Sequence, residues 1–502
     1  MTVEGTLMKR RTFCASAIPA LAIASAPWQR LFAATGGAGE VPAIGTAGQQ
    51  LVLQPSQLAE LRGALRGQLL LPGQDGYDAA RRVWNGAFDR KPALIVRCLG
   101  AADVVQAVEF ARNNALLVAV RGGGHSLSGQ SVCEGGMMID LSPMKAIRVD
   151  PLARTARLEP GVLLGQFDRE AQAFGLATTA GTVSHTGAAG LTLGGGFGRI
   201  GRKFALACDN LLGADVVTAG GRFLKAGARD NPDLLWGLRG GGGNFGVVTS
   251  FEYRLHAVDP MMHGGPLVLP FAGARALLRS FADFIAGASD DLYVDAAIVP
   301  TPDGQRVIAF DVCHSGPAPA AERDLAQLRK LGQPLQDGLR PRTYVDIQRA
   351  GDDNYPAGRS YYIKSGFMRA ITPRMIDAVV DYLESTLLPT GIVGFSHMGG
   401  AISRVKPGAT AFWHREAQHS LMMIGFWDEA GSAERAMQWV RGGWKGFEPL
   451  TDGFYVNEMS YDEADRRIRG NYGGNYPRLA ALKKQYDPTN LFRLNANIKP
   501  GA

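Results

Sequence analysis

The chain has 502 residues, of which 65 are glycine, 46% are hydrophobic and 20% are charged, with a formal net charge of +7. That hydrophobic fraction excludes a disordered chain, the lack of a Gly-X-Y period excludes collagen, and the length predicts two or three domains. A usual glycine content is about 7%, so roughly 30 of these glycines need a local reason. They are clustered, with 27 of the 65 between Gly122 and Gly246. Much of the charge sits at the start, where Lys9, Arg10, Arg11 and Arg30 stand against Glu4. No run of five or more Lys/Arg occurs elsewhere, so neither nucleic acid nor a membrane surface is an expected partner.

Residues 1–35 read as an export signal with its linker. Lys9-Arg10-Arg11-Thr12-Phe13 is a basic start, an apolar run follows from Cys14 to Pro27, and Ala22, Ala24, Ala26, Ala33 and Ala34 offer cleavage sites. The Arg-Arg-x-Phe pattern resembles a bacterial twin-arginine signal, which implies its export machinery as a partner and a periplasmic or secreted location. No stretch reaches the roughly 18 apolar residues of a membrane span. The five cysteines (14, 98, 133, 208 and 313) and eight histidines show no metal-binding spacing, and no metal is expected.

Further along, Gln57–Gly67 predicts a helix and Leu94–Cys98 a buried strand. A helix follows with Val104, Val105, Val108 and Ala111 on one face, and Leu116–Val120 is strand-like. Met137–Leu141 and Ala146–Val149 read as strands, Phe167–Phe174 as a helix, and Leu211–Thr218 as the first arm of a hairpin. Asp233–Leu238 is a short helix and Val247–Leu255 a strand. From about residue 260 the glycine clusters stop. Strands such as Leu292–Val299 and Arg306–Val312 then alternate with helices such as Ala321–Leu331 and Pro373–Leu383. A last helix, Tyr476–Tyr486, is stopped by Asp487-Pro488.

Glycine lets backbone amides approach a ligand closely, and successive amides form anion-binding nests. Three glycine loops in one region therefore point to a large phosphorylated cofactor held by main chain. No loop carries the Gly-Lys-Ser/Thr of a P-loop. Gly196-Phe197-Gly198-Arg199-Ile200-Gly201 formally satisfies GxGxxG but does not follow a hydrophobic strand.

Taken together, the loops resemble a known family. Val120-Arg121-Gly122-Gly123-Gly124-His125-Ser126, Ile139-Asp140-Leu141-Ser142, Gly161, Gly194-Gly195-Gly196-Phe197-Gly198, Cys208-Asp209-Asn210 and Arg239 through Thr249 resemble the FAD domain of the vanillyl-alcohol oxidase/p-cresol methylhydroxylase family. Tyr472 through Leu479, Tyr486 through Phe492 and Asn495-Ala496-Asn497-Ile498 resemble the berberine-bridge-enzyme signature.

The resemblance implies an α+β fold with an FAD-binding domain of two α+β subdomains over residues 50–258. A substrate-binding domain with a helix-covered antiparallel sheet follows over 259–450, and 451–502 returns to the FAD domain. It implies an FAD-dependent oxidase that moves a hydride from an alcohol or amine C–H of a small molecule to FAD and then to O2. Two alternatives stay open: a dehydrogenase with another acceptor, and a non-catalytic binding protein on the same fold. The implied cofactor-binding residues are Arg121, Gly122, Gly123, Gly124, His125, Ser126, Asp140, Gly161, Gly181, Thr182, His185, Gly187, Gly190, Gly194, Asn210, Val247, Asn495 and Asn497, with His125 forming an 8α-histidyl bond. Val183 stands where many relatives have a second, cysteine attachment, so a single link is expected, as in 6-hydroxynicotine oxidases. Ala188 is expected to govern oxygen access.

Phe454–Glu458 is expected to be a strand with Tyr455 and Asn457 on one face and Glu458 on the other. Tyr455 and Glu458 are the candidate catalytic residues. Tyr362, Lys364, His397, Arg404, His414 and Arg415 are further pocket candidates.

Overall fold

The computed structural model describes residues 39–386 and 388–501. The export signal expected over residues 1–35 lies outside them.

Strand Leu94–Arg97 begins with three residues fully removed from solvent, as a parallel strand covered on both faces requires. It pairs in parallel with Met137–Asp140, which pairs in parallel with Val118–Arg121, and Gln68–Leu70 closes the edge antiparallel. Helix Ala101–Asn113 makes the crossover and buries Val104, Ala107, Val108 and Ala111 at helical spacing. Asp103 is also buried there, and its carboxylate accepts the N–H groups of Arg66, Gly67 and Leu99 at 2.8–3.1 Å, so the burial is compensated.

A second subdomain is a five-stranded antiparallel sheet ordered Phe223–Gly227, Leu211–Val217, Val247–Arg254, Thr155–Leu158 and Ile147–Asp150. Between these sheets run the glycine-rich segments, ending in the short helix Ala188–Leu193.

The third layer is an eight-stranded antiparallel sheet. Its six long strands run Met261–Pro270, Arg306–His314, Leu292–Pro300, Gly391–His397, His419–Trp427 and Ser360–Met368, in that order, with Ser360–Met368 at the edge. One face carries Leu267, Val294, Phe310, Phe395 and Leu421 against helices Ala274–Ala286, Ala318–Arg329, Pro373–Ser385 and Ala433–Phe447. Side chains alternate along a strand, so the other face holds Asp295, Asp311, Tyr361, Ile363 and Ser365. Tyr361 and Ile363 pack there on Trp84 of the first subdomain. The architecture is the expected α+β arrangement.

The C-terminal helix Tyr476–Tyr486 returns the chain to the glycine loops. Lys483, fully buried, donates to Asp487 (2.7 Å) and to the carbonyls of Asn244 and Phe492 (both 2.8 Å). Asn244 in turn accepts from the Ile498 N–H and donates to the Ala496 carbonyl.

The segment expected as a strand at Phe454–Glu458 is different. It is an extended turn into a single 3-10 turn, Val456–Glu458, without a strand partner for its catalytic candidates. Alternation therefore does not govern its side chains.

Candidate active site

The strand Val118–Arg121 runs straight into Gly122-Gly123-Gly124-His125. These residues form one wall of a cleft whose other walls are Gly187, Gly190 and Gly194, the loop around Gly242–Gly246, and Asn495. Where Gly123 packs on Gly187 there is no room for a side chain. A Cβ on Gly123 would lie 2.5 Å from the Gly187 Cα, and one on Gly187 would lie 2.7 Å from the Gly123 nitrogen. Gly124 has φ +70°, open to glycine at no cost. Main chain of these glycines therefore faces the cleft, beside side chains such as His125, Gln130, Asn457 and Tyr472.

Of the sequence-predicted cofactor residues, Gly122, Gly123, Gly124, His125, Ser126, Gly187, Gly190, Gly194, Val247 and Asn495 share this cleft. Arg121, Asp140 and Gly161 stand behind it. Asp140 is fully buried between Arg97 (3.2 Å) and Arg121 (3.9 Å). Gly161 is a tight turn against the carbonyls of Leu141, Ser142 and Met144. His185 touches His125, with Nδ1 3.0 Å from its Nε2.

The remaining expected residues lie outside this lining. Asn210 spends its amide on the carbonyls of Phe204 and Leu206 and its oxygen on His256, as a turn brace outside the cleft wall. Gly181 and Thr182 pack against Gly198 and Arg199, also outside that wall. Ala188 turns into a small apolar cluster with Leu164 and Ala180, and Ala189 is the alanine on the wall. Asn497 is absent from that wall, although its Oδ1 is buried without a protein partner.

The pocket candidates also sort by geometry. Tyr362 and Lys364 have the wrong parity for the inner sheet face: Tyr362 donates to Asp462, and Lys364 binds Ser460, Asp462 and Glu463. Arg404 is exposed on Asp290. Arg415 is buried in a bidentate pair with Asp209, both contacts 2.7 Å, and braces the chain. His414 holds Asn471 at 3.0 Å. His397 stacks on His419, and burial and nearby Arg202 keep its imidazole neutral.

The Tyr455 phenol oxygen accepts hydrogen bonds from the Gly196 N–H (3.0 Å) and Asn457 Nδ2 (2.6 Å), and burial raises its pKa. Asn457 also donates to the Leu191 carbonyl and lines the cleft. Glu458 is half-buried; loss of solvent pushes its carboxyl up to about 8, a hydrogen bond from Ser365 opposes this, and Asp295 adds to it. Its Oε2 is buried and has no hydrogen-bond partner among the described residues.

Sequence reading missed the residues facing Glu458. Asp295 and Asp311 are direct cross-strand partners on the inner face. Asp311 is neutralised by Arg199 at 2.7 Å, and burial pushes Asp295 up to about 7. The Tyr355 hydroxyl feels Asp295, Asp311, Glu458 and Arg199 together, and burial raises it to about 12. Trp84 and Tyr361 were missed as well; they stack on His125 in series at 4.1 and 4.2 Å. Strand parity, counted from the helix-facing residues, is the one signal that could have found the inner-face set.

The cleft fits a dinucleotide with a pyrophosphate. Glycine main chain forms part of its lining, and Ser131 Oγ and Asn495 Oδ1 in that lining are buried polar atoms without a partner among the described residues. Such atoms cost about 1–3 kcal/mol each unless a ligand satisfies them. The fold and cleft thus define a flavin-dependent oxidoreductase.

The comparisons give the family. Residues 92–227 match the FAD binding domain family, and residues 454–499 match the berberine and berberine-like family. An FAD-linked oxidoreductase of Dictyostelium discoideum is 30% identical over 440 residues, 87% of this chain and 95% of its own. The (R)-6-hydroxynicotine oxidase of Paenarthrobacter nicotinovorans is 32% identical over 457 residues, 87% of this chain and 97% of its own. A crystal structure of 6-hydroxy-D-nicotine oxidase from Arthrobacter nicotinovorans superposes with a TM-score of 0.81 at 31% identity, over 87% of this chain and 98% of that one. The chain belongs to the berberine-like FAD-linked oxidoreductases. It is an FAD-dependent enzyme, and its relatives support oxidase activity.

Proposed function

We propose that the chain is an exported oxidase that removes a hydride from an alcohol or amine C–H of a small molecule and delivers the electrons to dioxygen, giving hydrogen peroxide. The observation that carries this reading is a single cleft in which the glycine wall, His125 and Asn457 meet. FAD, when bound, supplies the hydride acceptor and the two-electron passage to oxygen.

In this reading Glu458 takes the substrate proton. A base works best when its pKa lies near the working pH, and Glu458 is held at about 8 with one oxygen unpartnered. Tyr455 is the poorer candidate, since burial opposes its ionisation more than the two hydrogen bonds donated to its oxygen favour it. Its role is to hold Asn457 and the Gly196 amide in place.

His125 carries the cofactor through one covalent bond. Val183 offers no thiol for a second, and none of the four described cysteines lines the cleft. The resemblance to 6-hydroxynicotine oxidase favours small amines or hydroxylated N-heterocycles over oligosaccharides. Acid denaturation tests the bond: flavin stays with the pellet in the native protein and leaves it in His125→Ala. A panel of amines, alcohols and sugars, scored by anaerobic flavin bleaching and by peroxide in air, tests the reaction. Bleaching without peroxide on admitting air would leave a dehydrogenase. For location, cell fractionation should find the protein outside the cytoplasm, and changing Arg10 and Arg11 to Lys should retain it inside.

A further inference from the structure

His125 and His185 sit 3.0 Å apart, Nε2 to Nδ1. A neutral imidazole has one donor nitrogen and one acceptor nitrogen, so such a contact sets the tautomer of both rings. Burial, with His185 adding to it, holds His125 at about 3, so its ring is neutral. If Nε2–H of His125 donates to His185, the lone pair of His125 lies on Nδ1. That nitrogen is then a nucleophile in a ring that lines the cleft.

The ring is also held in plane. Trp84 stacks on it with centroids 4.1 Å apart at 18°, and Tyr361 stacks behind Trp84 at 4.2 Å and 9°. The neighbour of His185 is anchored too, since Ser184 donates both its N–H (2.8 Å) and its Oγ (2.5 Å) to Asp352. His185 itself is partly exposed, so a proton placed on it can pass to water.

We propose that His185 is the base that loads the flavin onto His125, accepting the Nε2 proton as the other imidazole nitrogen forms its bond. This rests on the covalent reading above. The imidazole nitrogen bonds to a methyl carbon of the flavin, and one C–H and one N–H bond break. The electron pair of that C–H bond reduces the ring system. Dioxygen then removes it with two protons, as hydrogen peroxide, leaving the oxidised, attached cofactor. Without a proton acceptor the new bond would leave a cationic imidazole in a buried site, which is costly. His185 removes that charge as it forms, in the way a paired carboxylate or base supports a nucleophile elsewhere.

The test compares wild type with His185→Ala, His185→Gln and His125→Ala, each freshly purified and incubated in air with FAD. Samples are acid-denatured over time, and flavin is measured in pellet and supernatant. Wild type should reach full attachment, and His125→Ala none. His185→Ala should attach at least tenfold more slowly at unchanged total flavin, and added imidazole should restore the rate. His185→Gln, which can still accept the hydrogen bond but not hold the proton, should stay slow. Attachment at the wild-type rate in either His185 variant that keeps its flavin overturns this proposal alone. Wild-type protein that releases all its flavin overturns the covalent reading and this one with it.

Discussion

The two sides of the active site are built from different parts of the chain's chemistry. On the cofactor side the wall is backbone: Gly122–Gly124 against Gly187, packed so closely that neither can gain a methyl group. The inner face of the large sheet carries Asp295, Asp311, Tyr361 and Ser365, with Tyr355 and Glu458 close to them, and in the reading proposed above this side-chain face is the substrate side. A backbone wall recognises what every flavin has in common. A side-chain wall can be changed residue by residue without altering the fold, so specificity and base strength belong there.

The sharpest break between the two sides should come from Gly123→Ala. Its Cβ would meet main chain at 2.5 Å, and main chain cannot swing aside as a flexible side chain can. We expect a loss of about 1–3 kcal/mol of stability and most of the bound flavin, read from flavin absorbance per protein and from Tm. A normal flavin content in this variant would mean that the wall is not where the cofactor lies.

Glu458→Gln should do the reverse, keeping the flavin and losing the chemistry. General-base catalysis contributes roughly 10²–10⁴-fold, so kcat/KM should fall about a hundredfold or more. A base acts deprotonated, so the native kcat/KM should rise with pH through about 8 and then level off. The variant should lack that limb. Ser365→Ala should move the limb to higher pH, because its hydrogen bond favours the ionised carboxylate.

Asp295 gives a smaller effect, on stability. Its carboxyl is raised to about 7 in the folded chain, from an ordinary value near 3.8. The unfolded chain therefore loses this proton first, and stability falls as pH rises from about 4 to about 7. Asp295→Asn should flatten that fall and stabilise the protein at pH 8 by about 1–2 kcal/mol, with no change at pH 4. Urea midpoints at the two pH values would check it, and an equal shift at both would remove titration as the cause.

The same contrast explains what could be read from the sequence. The glycine loops were legible because a backbone wall forces one residue type. The strand–helix–strand entry at Leu94–Arg121 was legible because its periodicity is simple. Asn210 and Ala188 turn away from the cleft lining, because a motif shows which residues travel together and not which way each one turns. The strand expected at Phe454–Glu458 rested on the family resemblance. Its main chain instead turns at Val456–Glu458, which brings Tyr455 and Asn457 into contact by local curvature and not by pleat. On the sheet, Tyr362 and Lys364 carry the more reactive side chains but lie on the helix side, while Tyr361 and Ser365, one residue away, are on the inner face, Tyr361 against Trp84 and Ser365 against the Tyr455 N–H.

Tyr362 tests that parity with the smallest effect. Its hydroxyl, 2.9 Å from Asp462 and 3.2 Å from Arg441, lies among groups on the helix side of the sheet. Tyr362→Phe should cost about 0.5–1.5 kcal/mol through that hydrogen bond, and kcat/KM and flavin content should stay within a factor of two. Tyr361→Phe removes a hydroxyl that donates to the Pro356 carbonyl at 3.1 Å and keeps the ring stacked on Trp84, so it too should leave the flavin in place. Tyr361→Ala removes the ring and frees the Trp84–His125 stack, and activity should fall while the Tyr362 variants stay near normal. A Tyr362→Phe enzyme with a tenfold loss of kcat/KM would mean that the sheet presents its other face to the substrate, and the assignment of Asp295 and Ser365 to that side would fail with it.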